Sequence, residues 1–165
     1  MQSSIQAGVK GDAVWVKVEG KGNFLNSGEL KEFTREMVNR GYREFVIDLD
    51  QCAMMDSTFM GTMAGVALRL KELGQGHLQV VRCGERSRDL LTGLGLDQLF
   101  TIHSHGSAAP ACDRLAHHEG ERHEQKQEIL EAHEALCRAA PDNFAKFKDV
   151  LDHLKQDLHP ETATK

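Results

Sequence analysis

The chain has 165 residues, 40% of them hydrophobic, and is therefore long enough to bury a full hydrophobic core. Its net charge is −5 with both signs mixed along the chain, which argues against nucleic acid and against an anionic membrane surface as partners. No run of residues is apolar enough for a signal sequence or a membrane span, so we expect a soluble cytoplasmic protein. The four cysteines form no CxxC pair, which predicts free thiols.

The first part of the chain predicts a β-hairpin followed by a helix. Residues 4–12 read as one strand of the hairpin, and the second strand has apolar residues at every other position: Val14, Val16 and Val18. Asn26 or Ser27 can cap the helix that follows, and Gly41 ends it. We therefore expect the sheet to start with two antiparallel strands, covered on one face by this helix.

From residue 44 onward, strands and helices alternate. Residues 44–52, EFVIDLDQC, are rich in residues that favour β-structure and predict a central strand. The later elements are a helix over 57–73, a strand over 77–84, a short helix over 87–94 and a short strand over 98–103. The order β-β-α-β-α-β-α-β predicts an α/β fold with a partly parallel sheet and right-handed crossovers.

The composition changes after residue 102. Small, polar and proline-bearing residues follow, which is typical of a linker, so we expect a first domain over 1–106, a linker over 107–112 and an extension over 113–165. The extension predicts two amphipathic helices, whose apolar positions are Ile129, Leu130, His133, Leu136 and Cys137 in the first and Phe144, Phe147, Leu151, Leu154 and Leu158 in the second. These faces need a partner surface, and we expect docking on the first domain or dimerisation between copies.

The helix that begins at Ser57 carries hydroxyl groups in its first turn. By helical periodicity Thr58 falls on a polar stripe and is expected to point to solvent, whereas Ser57 falls over small residues and is better placed as a cap. Either Asp56 or Ser57 can cap this helix. Gly61 and Ala64 form part of a small surface that we expect to lie against the sheet. Free backbone N–H groups at such a helix end favour negative charge, so a phosphate there is compatible with the fold.

Three stretches of this chain resemble the STAS domain of bacterial anti-sigma-factor antagonists. They are FVIDLDQC, then MMDSTFMGT, then LRLKELGQGHLQVVRCGERSRDLLTGLGLDQLFTIH, and the similarity covers about residues 3–103. In that family a strand leads into Asp-Ser-Ser/Thr-Gly-Leu-Gly at the start of a helix. The resemblance implies a STAS-like α/β domain with a mixed β-sheet and flanking helices, to which this chain adds the C-terminal pair of helices.

The resemblance also implies a function. In the family the second hydroxyl residue of the motif is phosphorylated by an anti-sigma factor that is itself a serine/threonine kinase. That position falls on Thr58 here, with Ser57 as the second choice. We therefore expect a non-enzymatic, cofactor-free binding switch that holds the kinase when unmodified, is released on phosphorylation, and is reset by a phosphatase. Partner contacts are expected at the start of the helix: Asp56, Ser57, Thr58, Phe59 and Thr62.

Two alternatives remain beside this switch. The domain can be an assembly module of a signalling complex, in which the acidic extension binds another copy or another protein. It can also be a module that holds a nucleotide or another anion at the helix end. Where the family usually has Gly and Leu, this chain has Phe59 and Met60. Phe59 is therefore expected to be a core residue, with an exposed anchor for a partner as the alternative.

The remaining candidates for metal binding or catalysis are histidines, cysteines and aspartates. Six histidines and cysteines after residue 110 are possible metal ligands: Cys112, His117, His118, His123, His133 and Cys137. They do not form the closely spaced ligand pairs of structural zinc, so no metal is expected. Asp48 and Asp50 lie on one face near a strand end, and Asp48 is expected to bond nearby loop amides. No serine or cysteine is predicted to lie beside a base and an orienting group, which argues against nucleophilic catalysis.

Overall fold

A computed structural model describes residues 3–116 and 121–159 of the protein. Its strands are β1 (Ser4–Lys10), β2 (Ala13–Gly22), β3 (Glu44–Asp48), β4 (Cys52–Met55), β5 (His77–Val81), β6 (Thr101–Ile102) and β7 (Asp113–Arg114). Its helices are α1 (Ser27–Asn39), α2 (Ser57–Glu72), α3 (Glu85–Gly93), α4 (Arg122–Ala139) and α5 (Asn143–Leu158), with a 3-10 turn at Leu96–Gln98. Within these residues, no helix is both long and apolar enough to cross a membrane.

The strands form one mixed sheet in the order β6-β5-β3-β2-β1-β7. The middle of the sheet is parallel, since β2 pairs with β3, β3 with β5, and β5 with β6 in the same direction. β1 runs antiparallel to β2, with Ala7 opposite Val16, as the predicted hairpin requires. The α/β fold class with a mixed sheet, flanking helices and two C-terminal helices is thus confirmed.

One face of the sheet carries the main core. Val14, Val16 and Val18 of β2 alternate with less buried residues, and they join Phe45 and Ile47 of β3 and Leu78 and Val80 of β5. α1 and α2 close this core from above with Leu30, Met37, Phe59, Met63 and Leu70. Each of these side chains removes apolar surface from water, which contributes about 1.5 to 3 kcal/mol per fully buried large residue.

The other face of the sheet is crossed by the segment of residues 106–112, which we name the strap. At one end Gly106 lies so close to Val81 that an added Cβ would be 2.9 Å from the Val81 Cβ atom, and at the other end Ala111 and Cys112 lie against Gly8 of β1. The strap therefore runs from β5 to β1. Three strand spacings amount to about 14 Å, which seven partly extended residues can span. The predicted linker residues 107–112 thus lie against the sheet.

The two C-terminal helices fold back onto the rest of the chain. α4 lies along α2 and places Ala135 and Leu136 in the main core, and α5 packs on α4. A second, smaller cluster joins the two helices through Leu130, Leu151, Leu154 and Leu158. The prediction of two amphipathic helices is confirmed, and most of their apolar residues are buried on their own chain. Phe144 is the exception: it is 53% exposed, so its predicted place on the buried face of α5 is wrong. The division into a domain, a linker and an extension stays a prediction.

Two short strands were not predicted. β4 pairs with the last residues of β2, beyond a shift in register at Gly20 and Lys21, and β7 pairs with β1 through Asp113 and Arg114. A strand of two to four residues is too short to show a period of two in its sequence, and its position is decided by the edge against which it lies. α3 begins at Glu85, two residues before the predicted start.

Candidate functional site

The start of α2 is fixed by Asp56, which lies just after β4. One carboxylate oxygen, Oδ1, accepts a hydrogen bond from the amide of Phe59 at 2.8 Å and caps the helix; the other, Oδ2, accepts from the amide of Phe24 at 2.9 Å. Of the two caps that the sequence allowed, Asp56 is confirmed and Ser57 is wrong. Asp56 is in the extended conformation that a cap requires, whereas Ser57 is already the first helical residue.

Thr58 lies in the first turn of α2, and only 5% of its surface is exposed. It shares a helix face with Gly61 and Thr62, three and four residues further along, and the hydroxyl of Thr62 donates a hydrogen bond to the Thr58 carbonyl at 3.0 Å. The prediction that Thr58 points to solvent is wrong. Periodicity correctly grouped Thr58 with Thr62, but it could not reveal that a helix more than sixty residues later would cover this face.

The burial of Thr58 also changes what a phosphate there would do. The sequence led us to expect that phosphate would act at the partner interface and leave the fold intact. With Thr58 buried, a group bearing about −1.5 to −2 charges cannot be added unless the covering helix moves. The fold in its present arrangement therefore does not tolerate the modification.

Ser57 contacts His133 of α4. The Ser57 Oγ atom lies 2.9 Å from Nε2 of His133, and Nδ1 of the same ring lies 2.7 Å from the carbonyl oxygen of Ile129. A carbonyl only accepts, so Nδ1 carries the proton; in the neutral ring Nε2 is then an acceptor, and the Ser57 hydroxyl donates to it. The His133 ring is packed edge-on against Phe147, with ring centres 4.9 Å apart.

This pair corrects the expectation that no hydroxyl nucleophile lies beside a base and an orienting group. Ser57, His133 and the Ile129 carbonyl have that arrangement. However, His133 is only 4% exposed, and neither Ser57 nor His133 lines the cavities beside α3 and β6, between α1, α2 and α4, or beside α1. The pair fastens α4 to the start of α2.

α2 and α4 cross at Gly61 and Ala132. A Cβ atom added to Gly61 would overlap the backbone carbonyl of Ala132, so the two helix backbones are in direct contact there. Gly61 was expected to let α2 approach the sheet; the approach it permits is to α4. Gly65, one turn later, has no other atom within 4 Å of such a Cβ and borders the groove between α1, α2 and α4.

Phe59 and Met60 are both buried, and no part of Phe59 is exposed. The Phe59 ring lies against Gly22 of β2, where an added Cβ would be 2.7 Å from a ring carbon. The prediction that Phe59 is a core residue is confirmed, and the alternative of an exposed anchor for a partner is wrong in this arrangement. The bulkier first turn is accommodated because position 22 has no side chain.

An exposed apolar surface lies next to Asp56, and it was not predicted from the sequence. We name it the apolar rim; it consists of Phe24 (43% exposed), Leu25 (54%) and Met54 (37%). Phe24 is tied to Asp56 by its backbone amide, and Met54 precedes Asp56 by two residues. The signal in the sequence is the pair of apolar residues Phe24 and Leu25 within the polar segment NFLNSG, residues 23–28.

Asp48 has no exposed surface and forms the polar centre of the other sheet face. Arg82 donates to both of its carboxylate oxygens, at 3.2 and 2.7 Å, and the amides of Asp50 and Ala109 donate at 3.0 Å each. Burial by itself raises the pKa of Asp48, but the hydrogen bonds from Arg82 and the two amides outweigh burial, and the pKa is lowered. The prediction that Asp48 bonds loop amides is confirmed.

Among residues 3–116 and 121–159, no three His, Cys, Asp or Glu side chains lie close enough to hold a metal ion. His117 and His118 lie outside the described residues. All four cysteines are free thiols, as predicted. Burial raises the pKa of each of them, which lowers the fraction of reactive thiolate at neutral pH.

The STAS domain family model matches residues 4–109, and the chain belongs to this family. A search among curated proteins found no match. The matched segment contains β1 to β6, α1 to α3 and the start of α2 with Asp56, Ser57 and Thr58. α4 and α5 lie beyond it.

Solved structures with a similar fold include three anti-sigma factor antagonists. A Thermotoga maritima protein provisionally classed as one has a TM-score of 0.56, 20% identity, and covers 60% of this chain and 85% of its own. One from Mycobacterium paratuberculosis has a TM-score of 0.53, 18% identity, and covers 62% and 86%. SpoIIAA in its unphosphorylated form has a TM-score of 0.53, 13% identity, and covers 64% and 90%. At these identities the similarity is one of fold.

Proposed function

We propose that the protein is an anti-sigma factor antagonist, a protein-binding switch controlled by phosphorylation at the start of α2. The observation that carries the proposal is the local arrangement on a STAS fold: two consecutive hydroxyl residues follow the cap Asp56, directly beside the exposed apolar rim. A partner that packs on the rim would lie within reach of a group added to the helix end. The protein would act by binding, without a cofactor, in the cytoplasm.

The partner we propose is an anti-sigma-factor serine/threonine kinase. An exposed cluster of large apolar residues is typical of a protein–protein interface, and aromatic residues such as Phe24 are enriched among those that dominate binding energy. A phosphate beside Asp56 would bring like charges together at this contact and would have to be desolvated there, which favours release. A phosphatase that removes the phosphate would return the protein to its binding state.

Thr58 is the proposed acceptor, with Ser57 as the second choice. Thr58 matches the family motif position for position, whereas Ser57 is the less buried of the two hydroxyls. We do not propose a homodimer through the C-terminal helices, because most apolar residues of α4 and α5 are buried within the chain itself.

The acceptor is tested by incubating the full chain with a candidate anti-sigma-factor kinase and ATP, then locating the phosphate by mass spectrometry. We expect one phosphate at Thr58, lost in Thr58→Ala and kept in Ser57→Ala. The exposed Thr92→Ala is the control and should be modified like the wild type. Phosphate on Ser57 would move the acceptor by one residue, and no phosphate on either hydroxyl with any such kinase would contradict the proposed switch.

The binding surface is tested separately. Phe24→Ser with Leu25→Ser should weaken kinase binding at least about tenfold, because both side chains are exposed and apolar beside Asp56. Val150→Ser, on an exposed position of α5, is the matched control and should leave binding unchanged. Equal affinities for the double variant and the wild type, measured by calorimetry, would exclude the apolar rim as the docking surface.

A further inference from the structure

We propose that α4 and α5 form an intramolecular cover over the start of α2, and that the docked cover and a phosphorylated first turn exclude each other. This regulation acts on the site of the proposed function and rests on that proposal. The segment that covers the start of α2 is residues 122–158 of this chain. We call these residues the cover.

Two contacts place the cover directly over the acceptor turn. Ser57 is hydrogen-bonded to His133, and Gly61 is in backbone contact with Ala132. Thr58 lies between them in the chain, on the same face as Gly61. A kinase needs the acceptor hydroxyl exposed and in line with the γ-phosphate, and a threonine residue that is only 5% exposed does not meet that need.

The joint between α4 and α5 is fastened to the domain by Asn143. Its side-chain amide donates 2.8 Å hydrogen bonds to the carbonyls of Leu94 and Leu136, and Asn143 is almost completely buried. Leu94 ends α3, whereas Leu136 belongs to α4, so a single side chain connects the cover to the STAS part. Nearby, Lys146 donates to the carbonyl of Gly93.

Other parts of the cover are held more weakly. Its ion pairs, Arg138 with Glu72 and Lys31 with Glu131, involve partly exposed side chains, and such pairs contribute little to stability. A groove of about 520 Å³ between α1, α2 and α4 leaves part of the helix contact unfilled. A cover held by two polar contacts, at His133 and at Asn143, and by a helix contact that is incomplete at the groove is suited to local release while the sheet stays folded.

Coupling between release and phosphorylation follows from the geometry. A phosphate on Ser57 would occupy space that His133 fills in the docked state. A phosphate on Thr58 would have to enter a nearly fully buried position between the contact of Ser57 with His133 and the contact of Gly61 with Ala132, and its charge would lose its water there. Phosphorylation therefore favours the released state. By linkage, release favours phosphorylation to the same extent, because both sites bias the same two-state equilibrium.

Shielding is tested by thiol labelling of the full chain, without a kinase. Thr58→Cys is treated with N-ethylmaleimide, and labelling at position 58 is followed by mass spectrometry of the peptides, which separates it from the four native cysteines. Adding Ala132→Arg, which puts a large side chain at the helix crossing, should raise the labelling rate at least about tenfold. Ala145→Arg, on an exposed position of α5, is the matched control and should change the rate less than about twofold.

Amide exchange of β2, β3 and β5 shows whether the sheet stays folded in Ala132→Arg. If it does not, Asn143→Ala takes its place, since it removes only the fastening to Leu94 and Leu136 and should also accelerate labelling. Equal labelling rates at position 58 in the parent and in the folded variant would overturn the cover.

Coupling is tested in the opposite direction with a phosphate mimic. Thr58→Glu should increase amide exchange in residues 122–139 at least about tenfold, while Thr92→Glu, on an exposed position of α3, should not. Unchanged protection of α4 in Thr58→Glu would overturn the mutual exclusion. Neither measurement needs a kinase. If both results are as expected, but the folded Ala132→Arg variant, with its cover released, is never phosphorylated, the proposed switch is refuted and the cover stands.

Discussion

The strap and the cover are two segments of the same C-terminal chain that lie across opposite faces of the sheet, and they are held in different ways. The strap is anchored by the fully buried carboxylate of Asp48, which binds Arg82 and the Ala109 amide at once. The cover is held by apolar contact, the buried amide of Asn143, the hydrogen bond between Ser57 and His133, and partly exposed ion pairs. Because a buried charge without its partners is very costly, the strap is a permanent part of the fold, whereas the cover can be released.

The largest expected effect comes from a substitution that removes the anchor of the strap. Asp48→Asn should lower the free energy of unfolding by about 3 kcal/mol or more, because it leaves Arg82 without its closest carboxylate partner. Asp50→Asn is the matched control: Asp50 is exposed and lies 3.5 Å from the same arginine, and its loss should cost less than about 1 kcal/mol. Urea denaturation measures both. Similar losses for the two variants would show that burial of Asp48 does not set the strength of the anchor.

The same anchor predicts a pH dependence. The folded-state pKa of Asp48 is lowered from 3.8, so its stabilising contribution is fully present above the unfolded-state value and is lost as the pH falls through the folded-state pKa. The gap in unfolding free energy between wild type and Asp48→Asn should therefore be widest above about pH 5 and narrow as the pH falls below about 4. A gap that stays constant down to pH 2 would contradict this assignment.

The next effect concerns the helix crossing of the cover. Gly61→Ala places a methyl group against the Ala132 carbonyl and should destabilise the protein by about 1 to 3 kcal/mol, by analogy with overpacked cores. Gly65→Ala on the same helix meets no other atom within 4 Å and should stabilise it by about 0.5 to 1 kcal/mol, because alanine favours a helix over glycine. Opposite signs in thermal or urea melts would confirm that the first glycine is required by α4.

The smallest effect concerns the outer ion pair of the cover. Arg138→Ala removes the 2.6 Å contact with Glu72 and should cost less than about 1 kcal/mol, because both side chains are partly exposed. Raising the salt concentration should reduce even this difference. A loss of several kcal/mol, measured by urea denaturation at low salt, would mean that the cover is fastened at its surface rather than at Asn143 and its apolar contacts.

The helices of the cover could be predicted from the sequence, whereas the path of the strap could not. The alternating valines of β2 and the apolar spacing of α4 and α5 predicted those elements, because burial of one face leaves a period in the sequence. The path of the strap leaves no such period, since its place depends on Asp48, which is distant in the chain. Composition could therefore indicate only a linker.

At the candidate site, too, local features could be predicted from the sequence and contacts between distant residues could not. The hydroxyl motif of α2 and the core position of Phe59 were predicted, because both depend on neighbours within one or two helical turns. The contact between Ser57 and His133 joins residues 76 apart in the chain. Nothing local to either residue distinguishes this contact from ordinary packing, and the expected exposure of Thr58 was wrong for the same reason.

The anchored strap also limits how far the cover can travel. β7 stays paired with β1 at Gln6 and Ala7, and only residues 115–121 separate Arg114 from the start of α4. Even fully extended, that length of chain reaches no more than about 30 Å. A released cover would therefore remain at high local concentration beside its docking face, and it would return by a first-order process that does not depend on the amount of protein in the cell. A partner must compete with this constant effective concentration of the cover. The affinity that a partner needs to keep the cover released therefore depends on the length of residues 115–121.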